Sequence, residues 1–313
     1  MKKKKIIVNS LFLFCAALLL LSQHTNAQSL FHKKATHLRA ASHLLWEDEE
    51  VEEDTIRGLS FGLNLGGYFA SKKTANFYNG VGNSGTDIGQ NEVRYYSIEE
   101  VLNLTLQRTQ QIQNFYQATA FSLPSDAYPL NVRYMPAFMV GLQLKFNFNR
   151  YSALLMNVNG IQLKTADQFT IQFIGTGQQQ NAQNDVRLFS ISGKEQRFNA
   201  NLGYRWGSYM NDMANFYMQF GGSMLGTKVQ GVEVYVADET YQLFIGASNP
   251  NQIQTYQQRT DIGFGGYVAA GFEVWFNGGY TADLSFGFSR DKVRVLYIEE
   301  NVWNKWLQLS VSI

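Results

Sequence analysis

Two carboxylates are the residues whose placement in the chain most directly suggests chemistry. Glu273 and Asp283 lie on the two sides of a Gly-rich turn, and pairing the flanking segments as a hairpin puts them opposite each other. Adjacent carboxylates in a confined space repel unless they are protonated or neutralised. We expect Lys145, Arg197 and Arg205 to supply the neutralising cations. This charge cluster is interpreted as a structural ion-pair plug, and a gate is the alternative.

Residues for other kinds of catalysis are absent from the body of the chain. A hydrolase of the Ser–His–Asp type needs a positioned histidine base. All four histidines precede the first predicted strand, at His24, His32, His37 and His43. The one cysteine, Cys15, lies in the apolar N-terminal segment, so neither a disulfide nor a zinc-type ligand set is expected. The sequence favours a non-enzymatic protein with no metal and no cofactor.

Composition narrows the class of partner. The chain has 313 residues, of which 45% are hydrophobic and 16% are charged, and its formal net charge is +1. The charged fraction is low against about 25% in typical soluble domains. Because the chain is nearly neutral, no nucleic-acid partner is expected. After residue 22 no apolar run approaches the ~20 residues of a membrane-spanning helix.

The N-terminal part is predicted to be an export signal followed by a polar tail. Lys2–Lys5, the apolar segment Ile6–Leu21 and the small residues Thr25–Ala27 predict a cleavable signal peptide over residues 1–27. An uncleaved anchor helix is the alternative. Residues 28–56 are predicted to be an acidic periplasmic tail, because their block of like charges repels itself and resists packing. A docking site for a basic partner is the alternative role of this tail.

From about residue 57 to the C-terminus, apolar and polar residues alternate with a period of two. A period of two indicates extended strands whose successive side chains point to opposite faces. One face is apolar and aromatic, and the other is small, polar or charged. On the segment from Thr260 the apolar positions are Ile262, Phe264, Val268, Phe272, Val274 and Phe276. Long strands with this contrast are typical of transmembrane β-barrels, apolar toward lipid and polar toward the lumen.

Eight such strands are predicted, joined alternately by tight turns and long loops. The long loops are expected at 71–130, 165–193 and 229–258, with a shorter one at 290–301. In the first loop, Ser97 and Glu100 match a capping box that opens a helix reaching Phe115. Alternating leucines at Leu102–Leu106 are a competing strand, which would make ten. A β-bulge is predicted near Gly160, where the alternation breaks.

The predicted fold class is all-β, an eight-stranded antiparallel up-and-down transmembrane β-barrel over residues 57–313 with long extracellular loops, one containing a helix. An even strand number places both termini in the periplasm. A soluble carrier with its apolar face turned inward is the alternative. It is disfavoured because large side chains would overfill an eight-stranded lumen. It also leaves unexplained the aromatic residues beside the short turns, which suit a lipid interface: Phe148, Trp206, Phe276 and Tyr280.

The body of the chain resembles the small bacterial outer-membrane barrels of the OmpX/OmpA type, and among them it is most similar to PorT-like barrels. The resemblance rests on the signal, on alternating strands such as Phe198–Trp206 and on the final Leu307–Ile313. The chain departs from many such barrels by ending on Ile313 rather than on an aromatic residue, and by its long first loop. No functional residues are carried over from the family.

The resemblance implies an integral protein of the bacterial outer membrane, surrounded by outer-membrane lipid. Some PorT-like members serve a protein-secretion machine, so it also implies a structural or accessory role in a cell-surface or secretion complex. Other membrane or secreted proteins would then meet the extracellular loops or the acidic tail. A narrow channel or transporter for a small solute is the alternative function.

Overall fold

The structure is a computed structural model that describes residues 58–82, 94–149, 151–176, 183–211, 214–245, 260–276, 279–295 and 298–313. The expected signal peptide and acidic tail lie outside these ranges, so both assignments stay predictions. Within the described ranges, none of the helices has the length and apolar character needed to cross a membrane.

Eight antiparallel strands form the body of the molecule. They are β1 (Gly58–Phe69), β2 (Ala137–Asn147), β3 (Ser152–Thr176), β4 (Gln183–Asn211), β5 (Ala214–Val236), β6 (Thr260–Trp275), β7 (Thr281–Val295) and β8 (Ile298–Ser312). Each strand pairs with the next in sequence, and β8 pairs with β1, so the ring is closed. Among the described residues, closure leaves no free strand edge around the ring itself. The predicted eight-stranded up-and-down barrel is confirmed.

Several strands are longer than predicted. The long loops expected at 165–193 and 290–301 are instead hairpins, with β3 paired to β4 as far as Thr176 and β7 paired to β8 as far as Val295. In addition, β5 continues to Val236, and its last residues pair with the short strand Glu239–Gln242. Conversely, β2 begins at Ala137 rather than near residue 131. The strands β3, β4 and β5, of 25, 29 and 23 residues, therefore extend beyond the other strands at the loop end of the barrel.

The break in alternation near Gly160 is an exchange of apolar and polar faces, and the predicted bulge is wrong. The register between β3 and β4 is continuous from Ser152 to Phe173. Before Gly160 the outward residues Leu154, Met156 and Val158 are apolar. Beyond it the outward Gln162 and Lys164 are polar and exposed, while Ile161 and Leu163 are buried. A strand that leaves lipid and enters water must turn its apolar side inward, because the outer side now faces water. The continued strand was therefore predicted as a loop, because its alternation had reversed.

The first loop folds into short helices. They are α1 (Lys72–Ala75), α2 (Ile98–Leu102) and α3 (Leu106–Tyr116), with 3-10 turns at Asn76–Tyr78 and Ser125–Ala127. We call residues 71–82 and 94–136 the loop cap. Short strands add to its order, since Ala120–Ser122 pairs with β3 and Arg94–Tyr95 pairs with Phe244–Ile245.

The predicted capping box is present, but the helix it opens is short. Ser97 Oγ accepts a hydrogen bond from the Glu100 backbone N–H at 3.1 Å, and the Glu100 carboxylate accepts one from the Ser97 N–H at 2.8 Å. The helix ends at Leu102 rather than reaching Phe115. A second helix starts where the Thr105 hydroxyl accepts from the Arg108 N–H at 3.3 Å. A threonine that caps a new helix interrupts the old one, and the competing strand at Leu102–Leu106 is also wrong.

The main apolar core lies at the loop end, between the loop cap and the inner face of the extended strands. The loop cap contributes Phe77, Ile98 and Leu102, and β3 contributes Phe169 and Phe173, all buried. Tyrosines of the loops also contribute to this core: Tyr95 and Tyr241 are buried in it, and Tyr116 packs against it.

Candidate functional site

The outward face of the barrel is apolar, which decides the orientation that the sequence left open. On β1, Phe61 and Leu63 are 63% and 64% exposed, whereas the inward Asn64 is fully buried. The same contrast recurs on all eight strands. A continuous band of exposed aliphatic and aromatic side chains around a closed ring is stable only against lipid. The chain folds as a membrane-spanning barrel. The soluble-carrier alternative is wrong.

The lumen is filled in layers, and the inward side chains of β8 show their order. From the short-turn end toward the loop end these residues are Ser312, Ser310, Gln308, Trp306, Asn304 and Val302, and all are buried. Small polar groups thus give way to an amide, then to an aromatic ring, then to a second polar layer and finally to the apolar core. Each layer is completed by residues from the other strands.

The layer nearest the short turns contains the predicted charge cluster. Glu273 and Asp283 are direct partners in the β6–β7 register. The Lys145 ammonium pairs with Glu273, and Arg205 Nη1 lies 3.1 Å from Glu273 Oε1 and 3.0 Å from Asp283 Oδ1. None of these four side chains is more than 7% exposed. Two carboxylates and two cations make the cluster electrically neutral, so four of the five predicted residues meet.

Arg205 is the hub of this cluster. Its guanidinium lies 3.9 Å from the ring centroid of Tyr217. The Gln219 carbonyl oxygen, in the amide orientation that satisfies both groups, accepts from Arg205 Nε at 3.2 Å and from Nη2 at 3.1 Å. The guanidinium thus contacts both carboxylates, an amide and an aromatic face. Such a fully engaged arginine holds charges in place; it offers no free group for proton transfer.

Arg197, the fifth predicted residue, belongs to a different network near the loop end. Its Nε donates to Glu195 Oε1 at 2.5 Å, and both side chains are fully buried. Tyr78 and Tyr134 donate their hydroxyls to Glu195 Oε2 at 2.7 and 2.6 Å, and Arg197 Nη2 donates to Thr74 Oγ1 at 3.1 Å. Thr74, Tyr78 and Tyr134 all belong to the loop cap. This network therefore fastens the loop cap to the barrel wall.

The pKa values of the two tyrosines, Tyr78 and Tyr134, differ strongly from that of a free tyrosine. Burial, followed by the neighbouring Glu195 carboxylate, raises the pKa of the Tyr78 and Tyr134 hydroxyls well above their ordinary value. Both hydroxyls therefore stay protonated and act as hydrogen-bond donors. This network was not predicted from the sequence, although the inward parity of Glu195 and Arg197 on β4 indicates that their side chains share the lumen.

The loop-end network continues across the lumen to three further strands. Arg197 Nη1 donates to Asn304 Oδ1 at 3.4 Å, and Asn304 Nδ2 donates to Asp291 Oδ2 at 2.9 Å. The Asp291 carboxylate also accepts hydrogen bonds from Ser223 and Ser289. Since Ser223, Asp291 and Asn304 come from β5, β7 and β8, the network ties one side of the barrel to the other.

Amides and aromatic rings fill the space between the two charged layers. Asn64 Nδ2 donates to the side-chain oxygens of Asn157 and Asn159, at 3.1 Å each. Toward the loop end, the rings of Tyr267 and Trp306 lie 6.1 Å apart between centroids and are buried. Within the described part of the chain, no group of three or more His, Cys, Asp or Glu side chains is arranged to hold a metal ion.

Comparison with known proteins finds similar solved structures at low sequence identity and low TM-score. No family model matches the chain, and no curated protein matches it. Among solved structures, it is similar to Neisserial surface protein A (8% identity, TM-score 0.36, covering 82% of this chain and 96% of the other). It is also similar to the outer membrane protein OprG from Pseudomonas aeruginosa (8%, 0.36, 82% and 97%). A third is Ail, the attachment invasion locus protein of Yersinia pestis (10%, 0.30, 82% and 98%).

At these identities and TM-scores, the likeness concerns the barrel fold alone. The resemblance to small outer-membrane barrels therefore rests on the closed ring of strands and its apolar outer face. The narrower resemblance to PorT-like barrels stays a prediction.

Proposed function

We propose that the protein is a non-enzymatic barrel of the bacterial outer membrane that presents its loop-end surface to other macromolecules. Its natural form is a structural or accessory component of a cell-surface or secretion complex. The observation that carries this proposal is the contrast between a lumen filled with packed side chains and an ordered, water-exposed extension built on β3, β4 and β5.

The filled lumen argues for a closed barrel. A solute crossing it would meet the neutral charge cluster, the amide layer, the rings of Tyr68, Tyr267 and Trp306, the Glu195–Arg197 network and then the apolar core. Eight strands enclose an interior just wide enough for side chains. The alternative function, a narrow channel or transporter, needs a continuous polar path, and the aromatic layer interrupts it.

Conductance measures this part of the proposal. Purified protein in a planar lipid bilayer should give no steady current, because no layer of the lumen is free of buried side chains. A stable large-conductance pore would contradict the closed-barrel proposal and favour the channel.

The extension carries an apolar patch on its outer face. Ile174, Val186, Leu188 and Tyr235 are 40%, 61%, 66% and 49% exposed. Leu188 pairs with Thr170 in the β3–β4 register, beyond the point where outward residues have become polar. Apolar side chains grouped on an otherwise polar, water-exposed surface are typical of protein–protein contacts. This patch supports a macromolecular partner at the loop end.

Co-purification from the native membrane in mild detergent tests the partner. Leu188→Glu places a charge in the patch. The matched control, Gln168→Glu, places a charge on the outward face of the neighbouring strand β3. We expect a stoichiometric partner with the unaltered protein and with Gln168→Glu, and loss of that partner with Leu188→Glu. Absence of any partner in all three preparations would favour a free-standing barrel and overturn the proposal.

A further inference from the structure

The two ends of the lipid-facing band carry different side chains. At the short-turn end the exposed residues include four aromatic ones, Phe148, Trp206, Phe276 and Tyr280. Among the described residues at that end, the cations Lys145 and Arg205 both point into the lumen. At the loop end, outward cations follow the last apolar residues on most strands. They are Lys164, Lys194, Lys228, Arg290, Lys292 and Lys305, all exposed or half-exposed.

The change from apolar to cationic is sharpest on β7 and β8. Along the outward face of β7, Leu284 and Phe286 are followed by the half-buried Phe288 and then by the exposed Arg290. Along β8, Leu307 is followed by Lys305. Phe288 is the register partner of Lys305, and Arg290 is the register partner of Trp303, so the first outward cations of the two strands lie within one register step of each other. The boundary is therefore a feature of the surface and not of one strand.

Trp303 marks the same boundary. It is 59% exposed and pairs with Arg290 in the β7–β8 register. Tryptophan is enriched where hydrocarbon meets the headgroup region, because its ring is apolar and its N–H is polar. Arg290 and Lys305 thus lie at the level of lipid headgroups.

These two cations differ from their neighbours because acidic side chains do not neutralise them. Lys292 and Arg294 both pair with Glu299. Within the described ranges Arg290 and Lys305 form no ion pair, and each lies beside an aromatic ring. The Arg290 guanidinium is 5.8 Å from the Trp303 centroid, and Lys305 Nζ is 5.8 Å from the Phe288 centroid. Diagonal neighbours on paired strands are about 7–8 Å apart, so both heads can reach one anion between them.

We propose that Arg290 and Lys305 form a binding site for the phosphate group of a lipid headgroup in the leaflet at the loop end. A guanidinium and an ammonium together suit a phosphate, the first by paired N–H donors and the second as a point charge. The exposed Phe286 and Leu307 directly below would contact the acyl chains of the same lipid. These apolar side chains favour a lipid over a soluble anion or a protein. The surface beside the two cations is already covered by hydrocarbon, and a water-soluble partner would have to displace it.

The test uses the full barrel in detergent micelles and phosphatidic acid as the probe. Binding is measured by native mass spectrometry as a titration of phosphatidic acid against a phosphatidylcholine background. The double variant Arg290→Gln/Lys305→Gln removes the two cations. The matched control, Lys72→Gln/Lys73→Gln, removes two exposed cations from the loop cap and changes the net charge equally. Heat-dependent migration on SDS gels shows that each variant is folded.

We expect the site variant to bind phosphatidic acid about 25-fold more weakly, since each of the two cations near an anionic lipid surface contributes roughly a factor of five. The control variant should bind as the unaltered protein does, and inorganic phosphate should not displace the lipid. Unchanged binding in the site variant, or an equal loss in the control, would overturn the proposal. Displacement by inorganic phosphate alone would overturn the assignment to a lipid.

Discussion

Replacing Arg205 with Met tests whether the charge cluster stabilises the barrel as a buried, mutually neutralised set. Methionine retains most of the arginine stem beside Tyr217 and removes the charge. The cluster then contains two carboxylates and one cation. Lys145 still pairs with Glu273, but Asp283 loses its ion-pair partner while remaining 1% exposed. Breaking a buried ion pair by removing one partner typically costs about 3–5 kcal/mol, because it leaves an uncompensated charge.

The loss in free energy of unfolding should be smaller when the unpaired Asp283 carboxylate is also removed. In Arg205→Met/Asp283→Asn the cluster is neutral again, with Lys145 and Glu273 as its one ion pair. We expect the double variant to recover at least half of the lost free energy of unfolding, roughly 2 kcal/mol, since an amide needs no counter-charge. A total stability of about 5–15 kcal/mol makes a loss of this size readily measurable.

Urea titration in lipid vesicles, followed by tryptophan fluorescence, measures the free energy of unfolding of each variant. Lys164→Met is the matched control, because it removes an exposed outward cation that forms no ion pair within the described residues. This control should lie within about 0.5 kcal/mol of the unaltered protein. The reasoning is refuted if Arg205→Met costs less than about 1 kcal/mol, or if adding Asp283→Asn lowers the stability further.

Three further predictions concern the loop end. Glu195→Gln removes the ion pair with Arg197 and should cost about 3 kcal/mol; faster proteolysis of the loop cap in the folded barrel is the readout, and an unchanged rate would contradict the fastening role. Because the pKa values of Tyr78 and Tyr134 are raised, the stability they share is intact below the ordinary tyrosine pKa of about 10 and is lost as pH rises above it. Urea midpoints at pH 8 and pH 11 measure this loss, and Tyr134→Phe should reduce the difference. Ser97→Ala should destabilise α2 by about 1 kcal/mol, seen as faster amide hydrogen exchange at Glu100 with no change in the barrel strands.

The opposition of Glu273 and Asp283 could be predicted from the sequence because it depends on local geometry. A short turn determines which residues of its two arms are partners. The outward placement of Phe276 and Tyr280 follows from the same parity, and their backbones are hydrogen-bonded at 2.8 Å. Where the connection is short, pattern reading is enough.

The extended strands could not be predicted by the same reading. Beyond Gly160 the apolar residues move from the even-numbered, outward positions to the odd-numbered, inward positions, so a continuous strand looks like a loss of pattern. The apolar residues change from the outward to the inward face where the strand leaves the lipid. The local sequence of β3 does not show where that boundary lies. Ile161 and Leu163 pack inside the barrel with Tyr68 and Trp306, and the loop cap packs against Phe169 and Phe173 farther along β3. These contacts make the inward apolar face stable.

The sequence by itself determined the period of two, the division of each strand into an apolar and a polar face, the number of strands and the pairing across tight turns, because each depends on neighbouring residues. Only the tertiary structure decided which inward residues share a layer. Arg197 and Arg205 lie on the same face of β4, yet Arg205 joins Glu273 and Asp283 whereas Arg197 joins Glu195 under the loop cap. The physical reason is the stagger of the strands around the closed ring, which sets the height of each residue and is a property of all eight strands together.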